Sequence, residues 1–457
     1  MDDTTSLQDH QILSSIPYFE LLIQQALPKH AVPAQLTPGK RGRPAVLTLP
    51  HLLMSLVVSV LLGMHSYQDL WRRMCSQVIG SFRPVTVTDD AILKRLRQAG
   101  LLPLQEMLRQ ISAVLATRLQ PLLPSDLAPF ASRIVALDET TWDAVQRHLP
   151  HLRTLPDGHV GLRPGKLAGR FDIRSQQWDF VQWREDPQAN CKVDICSLLL
   201  DLPRHSLLLF DLGYFSFPFF DYLTQMQYWF ICRLREKTTY QLVHVFYRHE
   251  GILDALVWLG SSHGARCGHL VRLVRFHDGQ GLRCYLTNVL DPRQLCLPAI
   301  ASLYARRWDI ELAFLTLKEH LGLHHWWSSQ PLLMQQQALL VLIVAQLLQA
   351  LRVLIAAEAG RDPFEVSLPL LVRYVPQFIQ QRQHPVAWVL TYGPVLGFFR
   401  PSTRLAVSAP AISLEQMCFP QTDLALTRKA RYVEYVPTPG SSSRPKKKSR
   451  QTAANSS

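Results

Sequence analysis

Two short apolar runs in this chain each lead directly into an aspartate, and this pattern restricts the folds available to it. Residues 134–137 (Ile-Val-Ala-Leu) precede Asp138, and residues 206–210 (Ser-Leu-Leu-Leu-Phe) precede Asp211. Runs of this kind are typical of buried strands in a sheet covered on both faces. A carboxylate beside such a strand must be paired, or must hold a metal ion, to offset its desolvation. The alternative is that both aspartates are turn or helix-capping residues.

The placement of these aspartates favours an α/β fold with a ligand site at one edge of the sheet. In open α/β sheets, ligands collect outside the carboxyl ends of the strands. If the two strands are neighbours, Asp138 and Asp211 therefore converge there.

Composition narrows the class of protein. The chain has 457 residues, 47% of them apolar, which excludes wholesale disorder. Its 8 cysteines are too dilute for a disulfide scaffold and indicate reduced thiols of a cytoplasmic protein. The net charge of +13 indicates a polyanionic partner, nucleic acid first. The N-terminus does not resemble a secretory signal, and the apolar stretches 52–64 and 338–357 are predicted to be buried helices rather than membrane spans.

The pattern of apolar residues changes along the chain. Helical spacing dominates up to a Pro-rich stretch at 121–129, after which short strand-like and helical runs alternate. We predict a helical N-terminal DNA-binding region at 1–125 with a basic linker at 38–44, an α/β domain at 130–335 that is strand-rich at about 237–283, a helical C-terminal region at 336–436, and a disordered basic tail at 437–457.

A predicted helix at 303–321 supplies a third carboxylate. On a helical wheel one narrow stripe contains Tyr304, Arg307, Glu311 and Lys318, beside an apolar stripe that can pack on a sheet. Asp309 and Glu319 point away from Glu311 and are predicted to be solvated. The alternative is a surface helix in which Arg307 and Glu311 form an ordinary i,i+4 ion pair.

Three carboxylates with basic neighbours suit phosphodiester chemistry. Two hard divalent ions, Mg²⁺ or Mn²⁺, prefer carboxylate oxygens and can clamp both the attacking and the leaving oxygen of an in-line displacement. Arginine, lysine and tyrosine beside them can hold the neighbouring phosphates. The candidate ligands are Asp138, Asp211 and Glu311.

At this point the residues resemble a known family. The pattern Tyr304-x2-Arg307-x3-Glu311-x6-Lys318 is similar to the signature of DDE transposases of bacterial insertion sequences. Residues 135–141 and 209–215 are similar to the regions around that family's two aspartates, and residues 285–288 to the strand before its glutamate helix.

The resemblance implies a fold and an activity. It implies an RNase H-like catalytic domain with a β-rich insertion, in which Asp138, Asp211 and Glu311 bind two Mg²⁺ or Mn²⁺ ions. It implies that Tyr304, Arg307 and Lys318 contact DNA, and that the enzyme excises an insertion sequence at its inverted repeats and joins it to target DNA. It also implies a homodimer that brings two double-stranded DNA ends together. The expected location is the bacterial cytoplasm near the nucleoid, and no membrane partner is expected. Two alternatives remain: a catalytically inactive or domesticated DNA-binding regulator, and an RNase H-like nuclease without strand transfer.

Other basic residues are candidate DNA contacts. Arg41 and Arg43 lie in an Arg-Gly-Arg segment that could enter a narrow minor groove, although a linker with incidental charge explains them equally well. Arg233, Arg235 and Lys237 follow an apolar strand and could line a DNA channel.

Overall fold

The computed structural model describes most of the chain between residues 46 and 432. The described residues are 46–64, 66–122, 127–141, 154–156, 165–184, 191–192, 195–323, 325–401 and 409–432. The predicted linker at 38–44, with Arg41 and Arg43, and the predicted basic tail at 437–457 lie outside the described residues.

A nine-stranded sheet forms the centre of the described fold. Its strands are β1 (Ile134–Thr141), β2 (Lys166–Asp172), β3 (Gln177–Arg184), β4 (Leu207–Leu209), β5 (Trp229–Arg233), β6 (Tyr240–His249), β7 (Ile252–Leu259), β8 (Val271–His277) and β9 (Leu282–Thr287). Their spatial order is β3-β2-β1-β4-β5-β9-β8-β7-β6. β1, β4 and β5 are mutually parallel, and the remaining neighbours pair antiparallel. The strand-rich segment around 237–283 therefore extends the same sheet through the pairing of β9 with β5.

Helices cover both faces of this sheet. They are α1 (Leu49–Leu61), α2 (Tyr67–Ser76), α3 (Asp89–Ala99), α4 (Leu102–Leu119), α5 (Phe217–Gln225), α6 (Leu297–Ala305), α7 (Trp308–Leu315), α8 (Pro331–Glu358), α9 (Leu368–Gln381) and α10 (Pro385–Leu396). Because side chains alternate along a strand, Ile134 and Ala136 of β1 join the core beneath α6, α7 and α8. Val135 and Leu137 face the opposite core, which includes α5. The fold is a mixed α/β arrangement of three layers.

Helix α8 is the central helix of the larger core. It is 28 residues long and apolar enough to cross a membrane, but 89% of its most apolar window is buried inside this chain. Gln346, in the middle of this apolar helix, bonds the edge of the sheet: its side chain accepts from Trp178 N at 2.8 Å and donates to Trp178 O at 2.9 Å. This buried amide occupies ladder positions of the edge strand β3 that would otherwise be unsatisfied.

The predicted single helix at 303–321 is wrong. The chain forms α6, then α7, and then a π-helical turn at Thr316–His320. Between the helices, Arg306 N and Arg307 N donate to Leu303 O and Tyr304 O, at 3.0 and 3.1 Å. These i→i−3 bonds tighten the backbone and interrupt the regular i→i−4 ladder. A wheel drawn through Tyr304 therefore has the wrong phase after Arg307.

The predicted helical region at 336–436 also differs from the structure at its end. α10 ends at Leu396, and the described segment 409–432 contains a single 3₁₀ turn. This segment lies along the sheet extension, with bridges from Arg431 to Arg266 and from Thr427 to His269. Its backbone bonds to residues 266–270, in the connection between β7 and β8, and to Phe246 of β6. These bonds satisfy its backbone groups without a helix.

Candidate active site

The register of two parallel strands brings Asp138 and Asp211 to the same level. The last parallel pair between β1 and β4 is Ala136 with Leu209. Asp138 and Asp211 each lie two residues beyond that pair. Since side chains alternate, Asp138 faces the same side of the sheet as Ala136, the side that carries α7.

Asp138 does not end its strand, contrary to the prediction. β1 continues to Thr141 because its last residues pair with β2, and Asp138 lies opposite Gly169. A Cβ at Gly169 would lie only 2.7 Å from Cζ3 of Trp178 and 3.4 Å from Cζ of Phe314. The absence of a side chain at Gly169 therefore lets Trp178 and Phe314 pack closely beside Asp138.

Helix α7 carries the third carboxylate over the sheet. The helix packs on β1 and β2, and Glu311 lies in its first turn. Phe314, on the same helix, contacts the Trp178 ring with a centroid distance of 4.7 Å. This packing fixes the position of α7 relative to Asp138.

The charges of Asp211 and Glu311 both act on Asp138. Desolvation by burial, with a further contribution from the charges of Asp211 and Glu311, raises the pKa of Asp138 to about 7. The backbone N–H of Glu139 and the guanidinium of Arg307 oppose this rise. A carboxyl group with this pKa loses its proton only near neutral pH, and a nearby cation would favour the loss.

Backbone hydrogen bonds orient both aspartates. Asp138 Oδ1 accepts from Glu139 N at 2.8 Å, and Asp211 Oδ1 accepts from Gly213 N at 2.9 Å. Asp211 thereby caps the 3₁₀ turn Leu212–Tyr214. Asp211 therefore has the capping role that the sequence analysis gave as an alternative. This role uses Oδ1, so that Oδ2 can bind other partners.

Glu311 forms an ion pair with Arg307. Arg307 Nη1 lies 2.7 Å from Glu311 Oε1, with side chains 9% and 32% exposed. The Arg307 guanidinium lies 5.8 Å from the Tyr304 ring centroid and 5.3 Å from that of Trp308. Tyr304 is itself buried against Tyr285, with ring centroids 5.0 Å apart, and burial raises the pKa of its phenol. The predicted grouping of Tyr304, Arg307 and Glu311 is therefore present despite the helix break.

The donor set has the chemistry of a hard-metal site. Its carboxylate oxygens are the ligands that Mg²⁺ and Mn²⁺ prefer. The negative charges of Asp211 and Glu311 raise the pKa of Asp138, and a bound cation would offset this repulsion. Among the described residues, however, no group of three Asp, Glu, His or Cys side chains is placed to hold one ion. The two-metal site at Asp138, Asp211 and Glu311 remains a prediction.

The other predicted DNA contacts lie around this cluster in different ways. Lys318 lies half-buried in the π-helical turn, and Arg233 is exposed at the end of β5, opposite Tyr285. Arg235 donates to Leu212 O and Phe215 O, both at 3.3 Å, and so braces the turn that Asp211 caps. Lys237 is exposed in the turn that leads to β6.

The prediction that Asp309 is solvated is wrong. Asp309 is 3% exposed, and its Oδ2 accepts from Gln176 Nε2 at 3.0 Å. Gln176 belongs to the turn between β2 and β3, so this bond ties the first turn of α7 to the sheet. The wheel separates Asp309 from Glu311 but does not show what covers that side of the helix, and no spacing signal in the sequence points to Gln176. Glu319, in contrast, is exposed.

A second acidic group beside Asp138 also escaped sequence analysis. Glu139 bonds Arg184 at 2.5 Å and Lys166 at 3.3 Å, and its side chain is 8% exposed. Two cations thus pair directly with Glu139, whereas Asp138 accepts a backbone hydrogen bond and feels the charges of Asp211 and Glu311. The adjacent acids at 138–139 are the only sequence signal for this division of roles.

The raised pKa of Asp138 predicts how stability depends on pH. In an unfolded chain this carboxyl titrates near pH ~4, so folding favours its protonated form between pH ~4 and the folded value of about 7. Its stabilising contribution is complete below pH ~4 and is lost as pH rises to about 7, by at most about 1.4 kcal/mol per pH unit. Denaturant titrations of wild type and Asp138→Asn, both metal-free, measure this as the difference in unfolding free energy. A difference that stays constant across this range would contradict the assignment.

Comparison with known proteins identifies one domain. Residues 193–347 match the family model for a transposase DDE domain, a range that includes Asp211, Tyr304, Arg307, Glu311 and Lys318 but not Asp138. No curated protein matches the chain in sequence. A cryo-EM structure of a piggyBac transposase synaptic complex with hairpin DNA aligns at a TM-score of 0.36 and 10% identity, over 86% of this chain and 84% of that one.

Proposed function

We propose that this chain is a DDE transposase that cleaves and joins DNA with an RNase H-like catalytic domain. The domain match at 193–347 supports the class of enzyme. The parallel strands β1, β4 and β5, flanked by the antiparallel β2 and β3, agree with the sheet expected of that fold.

The observation that carries the proposal is the convergence of three carboxylates. Asp138 and Asp211 come to one level on neighbouring parallel strands, and α7 carries Glu311 above them. The charges of Asp211 and Glu311 both act on Asp138. A structural role alone does not explain three acids gathered beside a buried sheet at a cost in desolvation.

These residues can take different roles in phosphodiester chemistry, metal binding by the acids and phosphate binding by the basic residues. Two Mg²⁺ or Mn²⁺ ions, when held by Asp138, Asp211 and Glu311, supply Lewis-acid stabilisation of the attacking and leaving oxygens. Arg307 can bind a phosphate through its planar fork, with Tyr304 beneath the guanidinium to restrict its motion. Arg233, whose charge acts on Tyr304, and Lys318, in the turn that follows α7, are further proposed DNA contacts.

The proposed substrates are double-stranded element ends and target DNA. We place the enzyme in an insertion sequence of a bacterium, acting in the cytoplasm near the nucleoid, as a homodimer that pairs two ends. The net charge of +13 supports a nucleic-acid partner.

A strand-transfer assay tests the proposal against its alternatives. Labelled duplexes from the DNA flanking the gene are incubated with the protein, Mg²⁺ and a target plasmid. We expect cleavage at the element end and covalent joining to the plasmid. Cleavage without joining would indicate a nuclease, and binding without cleavage would indicate a regulator.

Glu311→Gln is expected to abolish both cleavage and joining while DNA binding persists. The amide is nearly isosteric but is neutral and a weaker ligand for a hard cation. Glu319→Gln is the matched control, because Glu319 is exposed on the following turn. Loss of DNA binding in Glu311→Gln would mean instead that Glu311 is structural.

A further inference from the structure

We propose that Arg307 holds Glu311 away from the metal site until a DNA phosphate takes the place of the carboxylate. Phosphate binding and divalent-metal binding would then be coupled through one arginine. This inference rests on the proposed function and concerns the regulation of the same site.

The first support is the unequal freedom of the two partners. Arg307 is buried and lies close to the rings of Tyr304 and Trp308, so its guanidinium has little room to move. Glu311 is about one-third exposed and bonds Arg307 at 2.7 Å. If the pair separates, the carboxylate is therefore the partner that moves.

The second support is a site whose parts are present but not assembled. Glu311 is near enough to Asp138 to influence it electrostatically. Even so, no three acidic, His or Cys side chains in the described part of the chain are placed to hold one ion. We attribute this to the ion pair with Arg307, in which the Glu311 carboxylate is bonded to a cation that is already part of the protein.

The third support is the chemistry of the exchange. A phosphodiester offers two anionic oxygens that match the guanidinium fork as well as a carboxylate does. When a phosphate binds Arg307, Glu311 loses its partner and can turn toward Asp138 and Asp211. By linkage, DNA then raises metal affinity by the same factor by which metal raises DNA affinity. Metal would bind firmly only where a DNA strand is in place.

Metal binding without DNA provides the test. Mn²⁺ is titrated into wild type, Arg307→Gln and Arg306→Gln, and free Mn²⁺ is read by electron paramagnetic resonance. We expect Arg307→Gln to bind Mn²⁺ at least about tenfold more tightly than wild type, which corresponds to about 1.4 kcal/mol. Arg306→Gln should match wild type, because Arg306 pairs with Asp362 instead. Equal affinities in wild type and Arg307→Gln would overturn the proposal.

A double variant separates release of Glu311 from simple loss of positive charge. If Arg307→Gln acts by freeing Glu311, it should raise Mn²⁺ affinity in the wild-type background but not relative to Glu311→Gln alone. A gain that survives in the double variant would reject the release of Glu311 as its cause. Arg307→Lys serves if the glutamine variant is unstable, and an intermediate gain is expected because the ammonium lacks the planar fork.

The Mn²⁺ titrations also distinguish a failure of this inference from a failure of the proposed function. If Asp138→Asn and Asp211→Asn leave Mn²⁺ binding unchanged in the Arg307→Gln background, the carboxylates are not the metal site and the function proposal fails. If Asp138→Asn and Asp211→Asn abolish Mn²⁺ binding, but wild type binds Mn²⁺ as tightly as Arg307→Gln does, then only the proposed role of Arg307 is wrong. Adding the end duplex should increase Mn²⁺ affinity in wild type and much less in Arg307→Gln.

Discussion

Asp138→Asn is expected to lower the rate of DNA cleavage by roughly 1,000-fold, because metal-ion catalysis supplies several kcal/mol of transition-state stabilisation. The amide keeps the shape of the side chain and loses its charge. Measured without divalent metal, DNA affinity should be nearly unchanged, because the proposed phosphate contacts are basic residues. Single-turnover cleavage and filter binding measure the two effects separately.

The control for this variant is Asp423→Asn, since Asp423 is exposed in the segment 409–432. The melting temperature adds a further check. Because desolvation and like charge already disfavour ionised Asp138, the asparagine variant should be at least as stable as wild type at neutral pH. Wild-type cleavage by Asp138→Asn would show that the metal assignment is wrong, whereas a large loss of stability would show a structural role.

Asp254→Ala is expected to lower the free energy of unfolding by about 3–5 kcal/mol, the usual cost of leaving a buried charge unpaired. Asp254 and Arg272 are both fully buried, and Asp254 accepts from Arg272 Nε at 2.7 Å and Nη2 at 2.5 Å. Arg272 also donates to Leu295 O at 2.6 Å, just before α6 begins. The pair therefore links the sheet extension to the helix that carries Tyr304. Denaturant unfolding followed by circular dichroism measures the loss.

Asp291→Ala is the matched control for the buried pair. Asp291 pairs with Arg293 on the surface, with side chains 39% and 63% exposed. Exposed pairs contribute about 1 kcal/mol or less, so this variant should stay close to wild type. Similar losses of unfolding free energy in the two variants would mean that burial of the Asp254–Arg272 pair does not increase its contribution to stability.

Several elements of the fold were predictable because a local pattern encodes them. The apolar runs before Asp138 and Asp211 become β1 and β4, buried on both faces as continuous apolar strands are. The apolar segment 338–357 forms the interior of α8, where 89% of the most apolar window is buried. In both cases hydrophobic periodicity is strong enough to survive tertiary context.

Other features depend on contacts between distant parts of the chain. The end of α6 is tightened at Arg306, whose side chain reaches Asp362 and lies over the Phe364 ring. Asp309 is buried because Gln176 comes from a turn between two strands far upstream. Neither partner can be recognised from the spacing of residues around the helix, so the helical wheel assigned Asp309 to solvent.

The amino-acid sequence alone determined the chemical inventory of this protein: two strand-associated aspartates, a downstream glutamate, and a tyrosine, an arginine and a lysine at set intervals from it. Residue identity and local periodicity are properties of the chain itself, and they led to Asp138, Asp211 and Glu311 as candidate metal ligands. Only the tertiary structure decided how those groups are used at rest. It showed Asp211 capping a turn, Glu311 paired with Arg307, and Asp138 with its pKa raised to about 7. Desolvation, register and the choice of ion-pair partner arise from packing between segments that lie far apart in the sequence.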